Sequence, residues 1–224
     1  MVNLLSLLFI TIALLFAGCQ TAEKQHAPAT SSPSLDSLRE AKRWQRATIG
    51  VVSALKQIRS GDLIVRRGND FTSETLRQIN LRNKDYSHCG LITIENDTPW
   101  VYHALGGEFN PNQKILRESI WQFCHPNGNK AFGLYRFDQP EALLQPAIEQ
   151  AKRAFQAGIT FDMNFDLSTD QQQYCAEFVW KCFNKVNALN NQFNLSHLGG
   201  KQFIGVDDLF LHPRCKAVTS ATYP

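Results

Sequence analysis

Three residues of the chain combine in the way that thiol catalysis requires. Cys175 lies at the start of a segment with helical apolar spacing (171–186), and the first turn of a helix favours thiolate through its dipole and unpaired N–H groups. His88 begins one predicted strand and His103 lies in the next. If these strands form a hairpin, the two rings share a face and one can orient the other. The pattern predicts a nucleophile, a base and an orienting group, with the N–H of Cys175 as an oxyanion donor.

Taken singly, each of these residues has a simpler explanation. Cys175 begins the buried stripe of its own helix, and buried cysteines are common. A single histidine is more often a satisfied polar group than a catalyst. The joint presence of all three favours the catalytic interpretation. The histidines in loop-like segments are assigned no role: His125, His197 and His212.

Apolar periodicity and turn signals predict the elements that position these residues. Strands form a meander and helices flank it, which indicates the α+β class. The predicted helices are 35–58, 74–80 with Ser73 as its cap, 141–157 and 171–186, with a helical turn at 206–211. The predicted strands are 61–65, 88–94, 100–105 and 131–137, with a turn at 96–99 and loop from residue 195 onward.

The beginning of the chain has the features of a lipoprotein signal. Residues 2–18 carry no charged side chain, and their apolar run is shorter than the roughly 20 residues of a membrane span. Small residues precede Cys19, as in a lipobox, although the usual Lys or Arg near the start is missing. An ordinary secretory signal or anchor helix is the alternative. We therefore predict a signal peptide at 1–18, a lipidated flexible tether at 19–34 and one domain at 35–217.

Composition narrows the classes of function. Hydrophobic residues make up 43% of the 224, which suits a packed domain, and a net charge of +3 is too small to indicate nucleic-acid binding. No C-x-x-C or H-x-x-x-H spacing occurs, so we predict no metal and no cofactor. Five cysteines remain besides Cys19, and an odd number leaves at least one without an intrachain partner. Cys175 and Cys182 stand seven apart on one predicted helix, too far to bridge.

Five segments in order resemble the motifs of the circularly permuted papain-like amidases of the YaeF/YiiX type, relatives of NlpC-type cell-wall peptidases and of lecithin:retinol acyltransferase. The histidine strand precedes the cysteine helix, the reverse of papain, and the resemblance covers roughly residues 61–211. The segments are GDLI (61–64), SHCGLI (87–92), VYHA (101–104), FD (161–162) and YCAEFVW (174–180).

The resemblance implies a permuted papain-like fold with Cys175 as nucleophile, His88 as general base and His103 as the orienting third residue. Bacterial relatives are expected to carry a carboxylate in that third place, whereas acyltransferase relatives carry histidine. Ala176 replaces the small serine expected after the nucleophile. Tyr174 either lines the oxyanion site or simply packs. Two further family positions are expected to be buried carboxylates that fix backbone N–H groups: Asp62 and Glu177.

Three functions stay open on this basis. The first is a thiol hydrolase of peptide amide bonds in the cell wall, and the second is a lipid-acting acyltransferase or acyl-amide hydrolase. The third is a non-catalytic envelope binding module with its cysteines in disulfides. The expected location is the outer membrane facing the periplasm, since Gln20 rather than Asp follows Cys19. The oligomeric state is not predicted.

Overall fold

A six-stranded antiparallel sheet forms the centre of the fold, in the order β4-β3-β2-β1-β5-β8. The computed structural model describes residues 34–108 and 110–223. The short strands β6 and β7 pair separately as a hairpin. In chain order the strands are β1 (Leu63–Gly68), β2 (His88–Glu95), β3 (Thr98–His103), β4 (Leu116–Ser119), β5 (Asn129–Phe137), β6 (Ser196–Leu198), β7 (Lys201–Phe203) and β8 (Cys215–Thr222).

Helices cover both faces of this sheet, which gives the mixed α+β architecture expected for a permuted papain-like fold. Of the helices in residues 34–108 and 110–223, none is both long and apolar enough to cross a bilayer. The helices are α1 (Leu35–Leu55), α2 (Phe71–Ile79), α3 (Ile120–Phe123), α4 (Gln145–Gln156), α5 (Cys175–Phe183) and α6 (Val206–Phe210), with a 3₁₀ turn at Glu141–Leu144 before α4.

Strand alternation divides the core into two clusters, one on each face of the sheet. On one face Leu63, Val65 and Leu91 pack with α4, α5 and α6. On the other, Ile64 and Ile92 pack with α1 and α3. The central strands are therefore covered on both sides, so residues 63–65 of β1 and 88–93 of β2 are buried without interruption.

The β2–β3 hairpin places the two histidines on one face of the sheet. Its loop is the pair Asn96 and Asp97, both in the left-handed region with φ of 48° and 61°, as a two-residue hairpin turn requires. Leu91 is paired with Tyr102. His88 stands three residues from Leu91, and His103 stands one residue from Tyr102. Both histidine side chains therefore project from the face of the sheet opposite to that of Leu91 and Tyr102.

Several predicted boundaries were wrong. Helix α2 begins at Phe71, and its cap is Asp70, whose carboxylate accepts the Ser73 N–H at 2.8 Å, rather than Ser73 itself. Helix α5 begins at Cys175 and ends at Phe183, and is shorter than the predicted 171–186. Asn96 and Asp97 alone form the hairpin loop, so the turn is tighter than the predicted 96–99.

The part after residue 195 was the largest error of the prediction. It was expected to be loop apart from one helical turn, yet it supplies the β6–β7 hairpin and the edge strand β8. The compact unit runs over Leu35–Pro224, and the predicted domain end at residue 217 falls inside β8. The predicted signal peptide, the lipidated Cys19 and almost the whole tether lie outside the described residues.

Candidate active site

Cys175 is the first residue of α5, where its backbone N–H has no partner within the helix. The preceding residue, Tyr174, has the extended backbone of an N-cap, with φ of −83° and ψ of 171°. The carboxylate of Glu177 accepts the Tyr174 N–H at 3.1 Å and closes the first turn. Since the side chain of Cys175 is 7% exposed, the helix holds a nearly buried thiol at its positive end.

The thiols of Cys175 and Cys89 interact, and this interaction is the largest cause that lowers the pKa of Cys175. Burial opposes it, while the N–H groups of Cys89 and Ala176 and the charge of Arg66 lower the pKa further. The pKa of Cys89 is raised by burial. Of this pair, Cys175 is therefore the thiol that ionises more readily.

A chain of hydrogen bonds leads from His88 through His103 to a carboxylate. His88 Nε2 lies 2.8 Å from His103 Nδ1, and His103 Nε2 lies 3.1 Å from Glu118 Oε2. Strand pairing produces this line. Glu118 on β4 is paired with Val101 on β3, and Val101 projects from the same face as His103, two residues further along the strand. Both histidine rings also pack against Phe123 of α3, with centroids 5.7 and 5.1 Å away.

The carboxylate determines which nitrogen of each ring carries a proton. Burial acts to raise the pKa of Glu118, but the hydrogen bond and charge of His103 hold it below its usual value, so the group is ionised and accepts only. His103 then donates from Nε2 and accepts at Nδ1, so His88 donates from Nε2. This leaves Nδ1 of His88 as a lone-pair acceptor, the form that a general base needs.

Both histidines are held neutral by their surroundings. Burial is the main cause that lowers the pKa of His88 well below 6.5, and the charges of Arg66 and His103 lower it further. Burial also lowers the pKa of His103, although Glu118 acts in the opposite direction. A neutral imidazole at ordinary pH is available to accept a proton.

Arg66 connects the thiol and the histidines. It pairs with His88 across β1 and β2, and its guanidinium lies 4.6 Å from the Phe123 ring centroid and donates to the Phe123 carbonyl at 3.0 Å. Its charge acts on both His88 and Cys175. Within the described residues no hydrogen bond joins Cys175 to His88.

Of the two roles left open for Tyr174, the structure shows packing contacts. Its hydroxyl accepts the N–H of Ile204 at 2.8 Å, and its ring packs against Phe165 at 4.9 Å. Tyr174 is therefore a packing and anchoring residue, and its hydroxyl is occupied away from the thiol. The two expected structural carboxylates do fix backbone N–H groups, since Asp62 accepts that of Arg59 at 2.8 Å in the same manner as Glu177.

Sequence reasoning missed two residues of this site. Glu118 lies in the segment LRES (116–119), whose lack of apolar alternation hid the strand β4. Arg66 was taken as the end of a strand, yet β1 continues through Gly68. The signal that could have identified Glu118 is a carboxylate in the next strand after the hairpin that carries both histidines. All five cysteines of the described chain are free thiols: Cys89, Cys124, Cys175, Cys182 and Cys215.

Residues 57–202 match the model of the permuted papain-like amidases, the YaeF/YiiX C92 family. The uncharacterized protein YiiX of Escherichia coli K12 is 30% identical over 139 residues, which are 59% of this chain, and the chain spans 60% of the length of that relative. The crystal structure of YiiX from Escherichia coli O157:H7 superposes with a TM-score of 0.60 at 21% identity, covering 75% of this chain and 99% of that one, and supports the fold.

That crystal structure is described as a metalloprotein, so we asked whether residues here fit a metal. Residues 34–108 and 110–223 contain no group of three or more His, Cys, Asp or Glu side chains placed to hold one. His88 Nε2 and both nitrogens of His103 are already engaged in the hydrogen-bonded line that ends at Glu118. The residues do not fit a metal centre, and the match over residues 57–202 together with the shared fold shows that this chain belongs to the permuted papain-like amidase family.

Proposed function

We propose that the chain is a thiol hydrolase of amide bonds, with Cys175 as nucleophile, His88 as general base and His103 as the residue that orients His88. One observation carries the proposal. The line Glu118–His103–His88 leaves Nδ1 of His88 unprotonated, and the charge of Arg66 acts on both His88 and Cys175. Nucleophile, base and orienting group are the three parts of an activated-thiol site.

The reaction follows from these positions. The thiol proton of Cys175 passes to Nδ1 of His88 as the sulfur bonds to the substrate carbonyl carbon. The carbonyl oxygen takes the negative charge and is held by the N–H of Cys175. As the C–N bond breaks, His88 gives its proton to the leaving nitrogen. Water then attacks the thioester, its proton passes through His88 to the departing sulfur, and free acid and thiol are restored.

Peptide amides of the bacterial envelope are the proposed substrate class. A lipid at Cys19 would hold the domain on the outer membrane facing the periplasm, where it meets the cell wall. The guanidinium charge of Arg66, which acts on the thiol, supports a polar substrate. The hydrogen-bonded histidine pair supports a second candidate, acyl transfer or hydrolysis on lipid amides, because histidine occupies the third place in acyltransferase relatives.

Residue-resolved alkylation by iodoacetamide across pH tests the proposal, on the chain without its first 19 residues. Cys175 is expected to react fastest, with a midpoint below the free-thiol value of about 8.5. The other four thiols serve as internal references, since burial raises their pKa, that of Cys215 to about 12. His88→Ala should remove the advantage of Cys175, whereas His125→Ala should not.

Substrate panels separate the candidates. Hydrolysis of peptide amides but not of N-acyl amino acids supports the leading proposal, and the reverse preference supports the lipid candidate. The enzyme proposal would be overturned if Cys175 is alkylated slowly, forms a disulfide, or is alkylated at the same rate in His88→Ala as in the wild type. The binding-module function would then take its place.

A further inference from the structure

Helix α1 presents apolar side chains to solvent on the side away from the sheet. Leu38 is 45% exposed, Ile49 61% and Val52 48%. They follow one stripe of the helix, because 38, 49 and 52 are separated by eleven and three residues, close to whole turns. The sheet contact does not use these side chains, since α1 buries Ala47, Val51 and Ala54 on its opposite side.

Basic side chains lie among these apolar ones. Lys42 falls between Leu38 and Ile49 on the same stripe, and Arg39 and Arg46 lie along one edge of it. All three are exposed, and the side chain of Arg39 is 79% accessible. The α1 outer face is defined by six residues: Leu38, Arg39, Lys42, Arg46, Ile49 and Val52.

The charge of the α1 outer face is not neutralised by the helix itself. Its acidic residues are Asp36, which pairs with Arg39 at 3.3 Å, and Glu40, which falls in line with the sheet-facing stripe through Ala47. Among the described residues, Lys42 and Arg46 have no ion pair. The remaining cation, Arg43, points inward and donates to the carbonyls of Pro126 and Asn129, so that it fastens α1 to the domain.

We propose that the α1 outer face binds the surface of a bilayer that contains anionic phospholipid. Apolar side chains along one stripe of a helix, with basic ones along its edge, fit the boundary between acyl chains and anionic headgroups. A second copy of the chain would present the same positive charge and be repelled. The proposal does not depend on the catalytic function.

Vesicle flotation of the chain without its first 19 residues tests the proposal in the absence of any lipid anchor. Residues 35–224 contain both core clusters and form one compact unit, so this chain retains the folded domain. The chain should float with phosphatidylcholine vesicles that contain phosphatidylglycerol, and far less with phosphatidylcholine alone. Added salt should weaken the binding, because headgroup attraction is screened.

Two variants separate the contributions of charge and apolar contact. Each basic residue near an anionic surface adds about fivefold in affinity, so R39Q/K42Q/R46Q should lose at least about tenfold. I49S/V52S should also weaken binding while leaving the effect of salt in place. The matched control K130Q/K201Q/K216Q removes three exposed charges from elsewhere on the domain and should bind as the wild type does.

Equal binding to both kinds of vesicle, no binding to either, or equal losses in the control and the α1 variant would each overturn the proposal. Circular dichroism and the thermal midpoint should show that every variant is folded. Cys175 alkylation in R39Q/K42Q/R46Q should match that of the wild type, because this face contains no residue of the active site.

Discussion

At the scale of single residues, the unusual feature of the site is that a carboxylate stands behind the second histidine. Relatives were expected to place a carboxylate in direct contact with the base. Here His103 occupies that place, and Glu118 bonds to its far nitrogen at 3.1 Å. The carboxylate thus acts on His88 through an intervening ring, and it fixes the protonated nitrogen of both rings.

Glu118→Gln should therefore lower kcat by about 10²-fold with little change in KM, because the amide no longer dictates which ring nitrogens are protonated. Glu118 is a positioning residue, so the split between kcat and KM separates its role from a loss of substrate binding. The test is steady-state kinetics on the best amide of the substrate panel. Glu149→Gln, an exposed change on α4, is the control, and wild-type kcat in Glu118→Gln would contradict the relay.

Sequence alone proposed candidate catalytic residues but not the residues that surround them. Cys175, His88 and His103 were proposed because their types and their places on a helix and a hairpin are informative locally. Glu118 and Arg66 act across strand pairings, and a carboxylate or guanidinium in a strand is ordinary unless its neighbours are known. The interaction of Cys89 with Cys175 was also unforeseen, since it depends on how α5 packs on the sheet.

At the scale of elements, α5 positions the nucleophile through a buried carboxylate at its first turn. Glu177 accepts the Tyr174 N–H through one oxygen and lies 3.0 Å from the Lys181 ammonium through the other. Burial raises the pKa of Glu177 to about 7 despite both contacts. The helix start therefore holds a group that gains a charge near neutral pH.

Glu177→Gln should stabilise the domain at high pH and much less at low pH. Because folding raises the pKa of Glu177 from 4.5 to about 7, the stability that its protonated form contributes is present below pH 4.5 and is lost as pH rises through 7. Glutamine keeps an acceptor for the Tyr174 N–H and has no such loss. The gain in unfolding free energy should reach about 2–3 kcal/mol above that window, after allowing for the lost Lys181 pair.

Urea unfolding at about pH 5 and about pH 8 measures this difference. The exposed Glu149→Gln should show no pH-dependent gain. A constant difference between wild type and Glu177→Gln at both pH values would mean that Glu177 keeps one protonation state throughout.

The helices and the β2–β3 hairpin could be predicted from sequence, whereas the edge strands β4 and β8 could not. The β2–β3 hairpin and α4 carry strong local signals in apolar spacing and turn residues. Strand β8 has no clean alternation, because it lies at the edge of the sheet with its residues partly exposed. Its place is set by pairing with β5, a contact far away in the chain that no local pattern encodes.

At the scale of the whole molecule, the residue after β8 fastens this edge strand to the cluster beneath α1. Tyr223 is fully buried in the cluster beneath α1. Its N–H donates to the Lys130 carbonyl at 2.8 Å, and its hydroxyl donates to the Cys124 carbonyl at 2.5 Å. Tyr223 thus connects the end of β8 to β5 and to the end of α3. It lies in the same buried cluster as Phe123, whose ring packs on both histidines.

Tyr223→Phe should cost about 1–2 kcal/mol in unfolding free energy, because the buried Cys124 carbonyl loses its donor. Tyr223→Ala should cost about 3–5 kcal/mol, since it also opens a cavity. Urea unfolding gives both values, and Ser220→Ala, an exposed change on β8, should stay within about 0.5 kcal/mol of wild type. A Tyr223→Phe variant as stable as wild type would show that the hydroxyl contributes nothing to stability.

The order of the elements along the chain has a consequence for when the proposed enzyme becomes reactive. The base lies on β2, its supports on β3 and β4, and the nucleophile on α5, beyond β5 and α4. An unfolded chain has an ordinary thiol of pKa about 8.5 and no histidine relay. In the proposed enzyme, pairing of the strands is therefore the step that activates the thiol, and Cys175 is expected to react with amides only after the chain has folded.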